Sequence, residues 1–430
     1  MRTETKIMLT EQLMTAFLKR KYSRVLQLDS FAMSRPPEPV SGKNYLVYIH
    51  VPFCQELCPY CSFHRMKFDE DLTRAHFRAI RKELQMYEDL GYDFKAAYIG
   101  GGTPTILSDE IAKVLEYLRS TFNIQEISLE TNPNHLTDEI VNLLKTSGVN
   151  RLSVGVQSFN DSLLKTMERY HKYGSGSDIR VRLQRYMGSF DTLNVDMIFN
   201  FPTQTLEMLE RDLSIIQDIA ADQVTFYPLM VSDITRRELS RRFGKISYRQ
   251  EKLFYNRILE ALENFYTPGT AWCFSRKNTM IDEYVVDYDE YVGVGSGSFG
   301  YVGGSVLANT FSIPDYIDKV NAGSFPLEAA KIFSETDQIQ YDFLMKLFST
   351  TLNIGAAEDK FHGRFTHTLR KEITLFRLLG AIICDNGNLR LTRKGLYYWV
   401  IMMREFFTGV NNFRDTCRAR IGVVDRPKEL

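Results

Sequence analysis

Six short runs rich in β-branched and aromatic residues, YLVYIHV, AAYIG, EISLE, RLSVGV, LNVDMIF and VTFYPL, alternate with longer segments of helical period between residues 45 and 265. The intervening segments include LTRAHFRAIRKELQMYEDL, EIAKVLEYLRSTF, TDEIVNLLKTS and LEMLERDLSIIQDI, whose apolar residues recur at helical spacing. Strand and helix in strict alternation make βαβ units, which require right-handed crossovers and a parallel sheet, either doubly wound or curled into a partial barrel. The expected class is α/β. In such sheets the reactive residues sit on loops leaving the C-terminal ends of the strands.

Around this core the sequence predicts an N-terminal helical extension over 1–44, with one helix near Leu9 to Val25 and the connector SRPPEPVSG. A barrel with a glycine-rich extension is expected over 45–325, and a small α-rich domain of winged-helix character over 326–430. The run GVGSGSFGYVGG resembles a dinucleotide fingerprint only in composition, because no amphipathic helix starts inside it. Lys+Arg and Asp+Glu number 53 each, so no global field favours nucleic acid. No apolar run reaches the ~18 residues of a spanning helix and no secretory pattern opens the chain, which predicts a cytoplasmic protein. The apolar segment LYYWVIMMREFF and the amphipathic N-terminus are candidates for peripheral contact with the inner membrane face, against a competing reading as core.

Three of the six cysteines, Cys54, Cys58 and Cys61, fall in the eight residues CQELCPYC, directly after the first strand run. A disulfide framework is excluded by so few cysteines in so long a chain. Structural zinc normally recruits four ligands, and His64 and His76 do not repeat the required spacing. A redox dithiol would need a thioredoxin-like setting, which the pattern lacks. Three thiolates suit an iron–sulfur cube with one iron left open to an outside ligand.

The Cys-x3-Cys-x2-Cys loop, with Tyr60 before the third cysteine, resembles the signature of the radical S-adenosylmethionine (SAM) superfamily. YIHVPFCQELCPYC, YIGGGTPT, LETNPN, NRLSVGVQSFND, ERYH and NVDMIFNFPTQT, in that order, resemble the branch of oxygen-independent coproporphyrinogen III oxidase. That resemblance implies a (β/α)6 partial barrel, a [4Fe-4S] cluster on Cys54, Cys58 and Cys61, and two SAM molecules. It implies contacts to the first SAM from Tyr48, Gly101 and Glu130, and to the second from Tyr60, Gly102, Thr103, Gln157, Arg169 and Asp196; Phe299 is expected nearby. Individually, GGGTP also reads as a tight turn, Asp196 as a strand-end residue and Arg169 as a solvated helix charge.

Two departures shape the expected reaction. The oxidase has a further cysteine two residues after the third, where this chain has Phe63 following Ser62. Heme-chaperone relatives carry a His-Asn-x-x-Tyr-Trp motif where this chain reads TMIDEYVVDYDEY. What remains is similar to the class C radical SAM methyltransferases, in which a 5′-deoxyadenosyl radical takes hydrogen from the methyl group of the second SAM and the product radical adds to an sp2 carbon. The acceptor expected is a planar hydrophobic molecule, menaquinone ahead of a tetrapyrrole, with a flavodoxin or ferredoxin as reductant. Coproporphyrinogen oxidation, anaerobic heme degradation and heme delivery are the alternatives.

Overall fold

The structure is a computed structural model that describes residues 29–30, 33–276 and 288–420. The helix expected near Leu9 to Val25 lies outside the described residues. Six parallel strands lie side by side in chain order: β1 (Tyr45–Val51), β2 (Phe94–Gly101), β3 (Glu126–Thr131), β4 (Arg151–Gln157), β5 (Thr192–Phe199) and β6 (Gln223–Pro228). Between them run α1 (Glu70–Asp89), α2 (Ser108–Thr121), α3 (Asp138–Thr146), α4 (Gly176–Tyr186) and α5 (Leu206–Ile219). The six runs read from sequence are these six strands. Every residue of β1 is buried, because a parallel sheet is covered on one side by its crossover helices and on the other by its own curl. Helix starts are set by side chains that accept otherwise unpaired N–H groups: Asp69 for α1, Thr137 for α3, Ser175 in a capping box for α4 and Thr205 for α5.

The sheet stays open and grows at both edges. Beyond β6 it adds β7 (Cys273–Ser275), antiparallel. Beyond β1 it adds β8 (Tyr291–Val294), parallel to β1, then the antiparallel β9 (Phe299–Val302), β10 (Ser305–Asn309) and β11 (Leu327–Ile332). The glycine-rich run is therefore a β-connection rather than a helix start. Gly295, at φ +97°, would put a Cβ 2.4 Å from the His50 carbonyl oxygen, so only glycine fits against the end of β1. The carboxylate of Glu83, on α1, fastens this connection by accepting from the Gly295 N–H, the Asn309 amide and the Tyr316 hydroxyl.

After β6 come α6 (Asp233–Phe243) and α7 (Tyr248–Leu262); after β11 come α8 (Glu335–Phe348), a three-stranded antiparallel sheet and α9 (Arg393–Arg420). For LYYWVIMMREFF the structure supports core packing, the reading the sequence favours over membrane contact. Leu396 to Met403 are all buried, Trp399 completely, packed against Phe343, Phe376 and the barrel helices, so this segment has no free apolar face. Among the described residues no helix is long and apolar enough to cross a membrane.

One buried ionic group holds α9 on the barrel. Arg404 donates to Glu251 on α7 and to Glu405, and its guanidinium lies 4.3 Å from the centre of the Tyr248 ring. All three charged residues are almost fully buried. Removing the cation alone leaves two desolvated carboxylates facing each other, a change that costs about 3–5 kcal/mol in comparable sites. Arg404→Met is expected to lower stability by about that amount, measured as the shift of the urea midpoint followed by tryptophan fluorescence. A Glu251→Gln, Glu405→Gln background, in which no charge is stranded, should reduce the loss.

Candidate active site

The cysteine loop leaves the end of β1 and is fixed from both sides. Arg65 donates to the carbonyls of Cys58 (2.8 Å) and Cys61 (2.8 Å), and the Phe68 N–H bonds the Cys54 carbonyl at 2.8 Å. Cys54, Cys58 and Cys61 are free, partly buried thiols. Burial pushes the Cys54 thiol up to about 12, with neighbouring Cys61 adding to the rise and the Thr103 hydroxyl opposing it. Among the described residues no three Cys, His, Asp or Glu side chains converge on a single metal-ion position. Three thiols each meeting a different iron of one cube need no such convergence.

What surrounds the sulfurs suits an anionic iron–sulfur group. The Arg169 guanidinium lies 3.5 Å and the Lys172 ammonium 3.8 Å from the Cys58 sulfur, and the Thr103 hydroxyl 3.8 Å from the Cys54 sulfur. Cations and hydroxyls beside the sulfurs favour thiolate and offset the charge of a cluster. Arg169 is buried, yet its Nε has no hydrogen-bond partner. A buried donor left unpaired is costly, so this atom faces the place of a missing acceptor.

Two polar groupings lie beside the loop, on neighbouring strands. In the first, Glu130 on β3 accepts from the Tyr98 hydroxyl (2.7 Å) and the Gly101 N–H (3.0 Å), and the Tyr48 ring lies 6.1 Å from that of Tyr98. Glycine is required at the end of β2: Gly101 sits at φ +118°, and a Cβ there would fall 2.7 Å from the His50 ring. The three residues expected at the first SAM are thus together. His50 ties them down. Its Nε2 faces the His64 carbonyl (2.9 Å), which only accepts, so Nδ1 carries no proton and accepts from the Tyr48 hydroxyl (2.7 Å). Burial lowers the His50 pKa to about 4, which keeps the ring neutral.

The second grouping centres on Arg169. Besides Cys58 it donates to the Tyr60 hydroxyl (3.3 Å) and to the Gly155 carbonyl near the end of β4. There β4 is bulged between Gly155 and Gln157, and Gln157 adopts φ +74°, an unfavourable backbone for a non-glycine residue. The next residues are locked by Asp212, which accepts from the Ser158 hydroxyl (2.8 Å) and the Phe159 N–H (2.7 Å). Asp196 lies opposite Gly155 in the β4–β5 register and accepts from Ser153 (2.7 Å) and Asn194 (2.8 Å). Thr103 joins through Asn132, whose amide donates to its hydroxyl at 2.8 Å, and Gly102 approaches so closely that a Cβ would stand 2.6 Å from the Phe53 carbonyl oxygen.

The two sequence-based sets therefore occupy one face, at the C-terminal ends of the strands. Tyr48 and Asp196 are the exceptions in depth, lying within β1 and β5 rather than at their tips. Sequence reasoning passed over His50, Arg65, Asn132 and Lys172. Only His50 and Asn132 carried a signal, as polar residues inside YIHV and LETNPN. Phe63, exposed beside the buried Ser62, lies 5.0 Å from the Arg414 guanidinium of α9, which also lies 5.3 Å from the Phe299 ring. The C-terminal helix thus reaches the rim of the site. A polar cavity lined by Arg119, Lys145, Asn150 and Asp191 opens at the opposite ends of the strands and shares no residue with the site.

A sequence model of the radical SAM superfamily matches residues 48–216. The heme chaperone HemW of Bacillus subtilis is 29% identical over 336 residues, covering 75% of this chain and 87% of the relative. The oxygen-independent coproporphyrinogen III oxidase of Bradyrhizobium diazoefficiens is 26% identical, covering 76% of this chain and 77% of that protein. Among solved structures, coproporphyrinogen III oxidase (HemN) from Escherichia coli superposes with a TM-score of 0.71 at 21% identity, over 84% of this chain and 90% of that one, a likeness of fold. The cysteine loop, the six-stranded parallel core and these matches agree on a radical SAM region over residues 48–216, the kind that uses a [4Fe-4S] cluster and SAM, in a chain similar to coproporphyrinogen III oxidases and heme chaperones.

Proposed function

We propose that the protein is a radical SAM methyltransferase that binds two SAM molecules and methylates an sp2 carbon of a planar hydrophobic acceptor, with menaquinone preferred. The observation that carries this reading is the pair of polar groupings, around Glu130 and around Arg169, on neighbouring strands beside one cysteine loop. When bound, the cluster supplies the electron that cleaves SAM to methionine and a 5′-deoxyadenosyl radical. Cys54, Cys58 and Cys61 hold it.

Each grouping has a distinct task. Glu130 is oriented by Tyr98 and the Gly101 N–H so that it accepts from ribose hydroxyls of the first SAM, while Tyr48, locked by His50, lines the same side. Arg169, with Nε unspent, grips the carboxylate of the second SAM. Asp196 is held by two donors and accepts from the second ribose or the ammonium group. The chain's contribution to rate is proximity: the methyl group, the radical and the acceptor are kept at reacting distance and in order.

Phe63 stands where the oxidase has its additional cysteine, and TMIDEYVVDYDEY where the chaperone has its heme motif; most of that second segment lies outside the described residues. Both departures favour methyl transfer over decarboxylation or heme delivery. A tetrapyrrole acceptor is the second reading, favoured by relatives named as heme chaperones and coproporphyrinogen oxidase.

Three outcomes are expected. Anaerobic incubation of the reconstituted, reduced enzyme with methyl-labelled SAM should yield 5′-deoxyadenosine and S-adenosylhomocysteine in step with a menaquinone product heavier by one methylene. Label in heme instead would transfer the reading to tetrapyrroles, and carbon dioxide from coproporphyrinogen would replace it with the oxidase. Cys54→Ala, Cys58→Ala and Cys61→Ala should each abolish the cluster, read from iron content and visible absorbance. Asp196→Asn should lower methyl transfer by about 10²-fold, the cost of a misplaced reactant, while cleavage of the first SAM changes only a few-fold. Equal loss of both would contradict the two-site assignment.

A further inference from the structure

Between Asp233 and Lys252, across α6 and the start of α7, the chain carries seven Lys or Arg and three Asp or Glu, although the whole chain balances 53 against 53. One of the three acids, Glu251, is buried against Arg404, so the surface excess is larger than the sequence count. Arg237, Arg241, Arg242, Lys245 and Arg249 are exposed. Arg242 pairs with Glu168 at 2.8 Å. Arg241, Lys245 and Arg249 meet no carboxylate among the described residues.

A charged helix face is ordinarily just a solvated one. The inner side of this one differs. Leu239 is buried in the same small apolar cluster as Tyr60, with Phe243, Ile246 and Cys58 packed against it. Ser232, the N-cap of α6, donates its N–H to Ser62, the neighbour of Cys61, at 3.1 Å. One helix thickness, about 10–12 Å, therefore separates a cationic surface from the cysteine loop. Exposed large apolar residues on the segment or directly beside it are limited to Ile234 and Leu253, too little to anchor it in acyl chains.

We infer that the outer face of α6 and the turn into α7 docks an acidic one-electron carrier protein and is the side from which the centre on Cys54, Cys58 and Cys61 is reduced. The inference rests on the cluster reading of those cysteines. In the step itself one electron leaves the carrier's reduced flavin or iron–sulfur group and enters the centre, with no bond made or broken. Complementary charge brings the carrier to the face nearest the acceptor and governs the rate of encounter more than the depth of binding.

The test is the triple variant Arg241→Glu, Lys245→Glu, Arg249→Glu in the reconstituted full chain, beside a control with the same charge change at the exposed Arg370, Lys371 and Arg377. Binding of oxidised flavodoxin, followed by calorimetry, should weaken at least ~10-fold in the triple variant and lose its salt dependence. Reduction by photoreduced flavodoxin, read as stopped-flow bleaching, should slow by about 10-fold or more, while reduction by dithionite is unchanged. The control should match the wild type in every measurement. Unaltered flavodoxin binding and reduction would overturn the proposal. So would unaltered flavodoxin kinetics with loss of sedimentation on anionic phospholipid vesicles, which would assign the face to a membrane surface. If dithionite reduces no centre in either protein, the reading of the cysteine loop fails, and this inference with it.

Discussion

The placement of one buried guanidinium determines most of the site. Arg169 donates to the Gly155 carbonyl, the Tyr60 hydroxyl and the Cys58 sulfur, so it ties the bulged end of β4 to the loop after β1. A charge in that position is tolerable only because the carbonyl, hydroxyl and sulfur together replace water around it. The constraint propagates in both directions. On one side it sets the height of the cysteine loop above the sheet; on the other it stabilises a backbone at Gln157 that the residue would not choose alone. Asp212, buried and hydrogen-bonded to the next two residues, absorbs that strain from behind, and burial raises its pKa to about 7.

The first grouping is built by a different means. Around Arg169 a long side chain reaches across the loop, whereas around Glu130 the backbone does the approaching. Gly100, Gly101 and Gly102 lie so near Glu130, His50 and Phe53 that a Cβ on any of them would collide. The three-glycine run is therefore required by packing alone. It brings the carboxylate of β3, the ring of His50 and the start of the cysteine loop within one layer. His50 is then the hinge between the groups: neutral, buried and hydrogen-bonded at both nitrogens, it transmits the position of His64 to Tyr48.

The parallel core was legible because its code is local: six β-branched runs, each closed by a turn residue and followed by helical period. The cysteine spacing was legible for the same reason, whereas GGGTP, Glu130 and Asp196 were singled out only by the order of several motifs together. What could not be read are the contacts of individual side chains, near or far along the chain. Arg65 holds carbonyls four and seven residues before it, and Arg414 reaches Phe63 from far along the sequence, with no periodic pattern to announce either. The apolar segment LYYWVIMMREFF shows the limit most clearly. Its composition allows an interfacial helix but favours a core one, and the buried Arg404–Glu251 pair and the packing around Trp399 decide for the core.

That decision bears on the chemistry at the rim. With its apolar stretch spent on the barrel, α9 is free to extend Phe413 and Arg414 over the mouth, where they meet Phe63, Phe299 and Phe311. A site that makes an alkyl radical must keep away groups that give up hydrogen easily. Aromatic C–H bonds resist abstraction, whereas an S–H bond is weak, and an unligated thiol near the radical would quench it. On the methyl-transfer reading, phenylalanine at position 63 thus does more than omit a cysteine. It substitutes an inert ring, held under a guanidinium, for the group most hazardous to the intended acceptor, and its flat face suits a planar substrate.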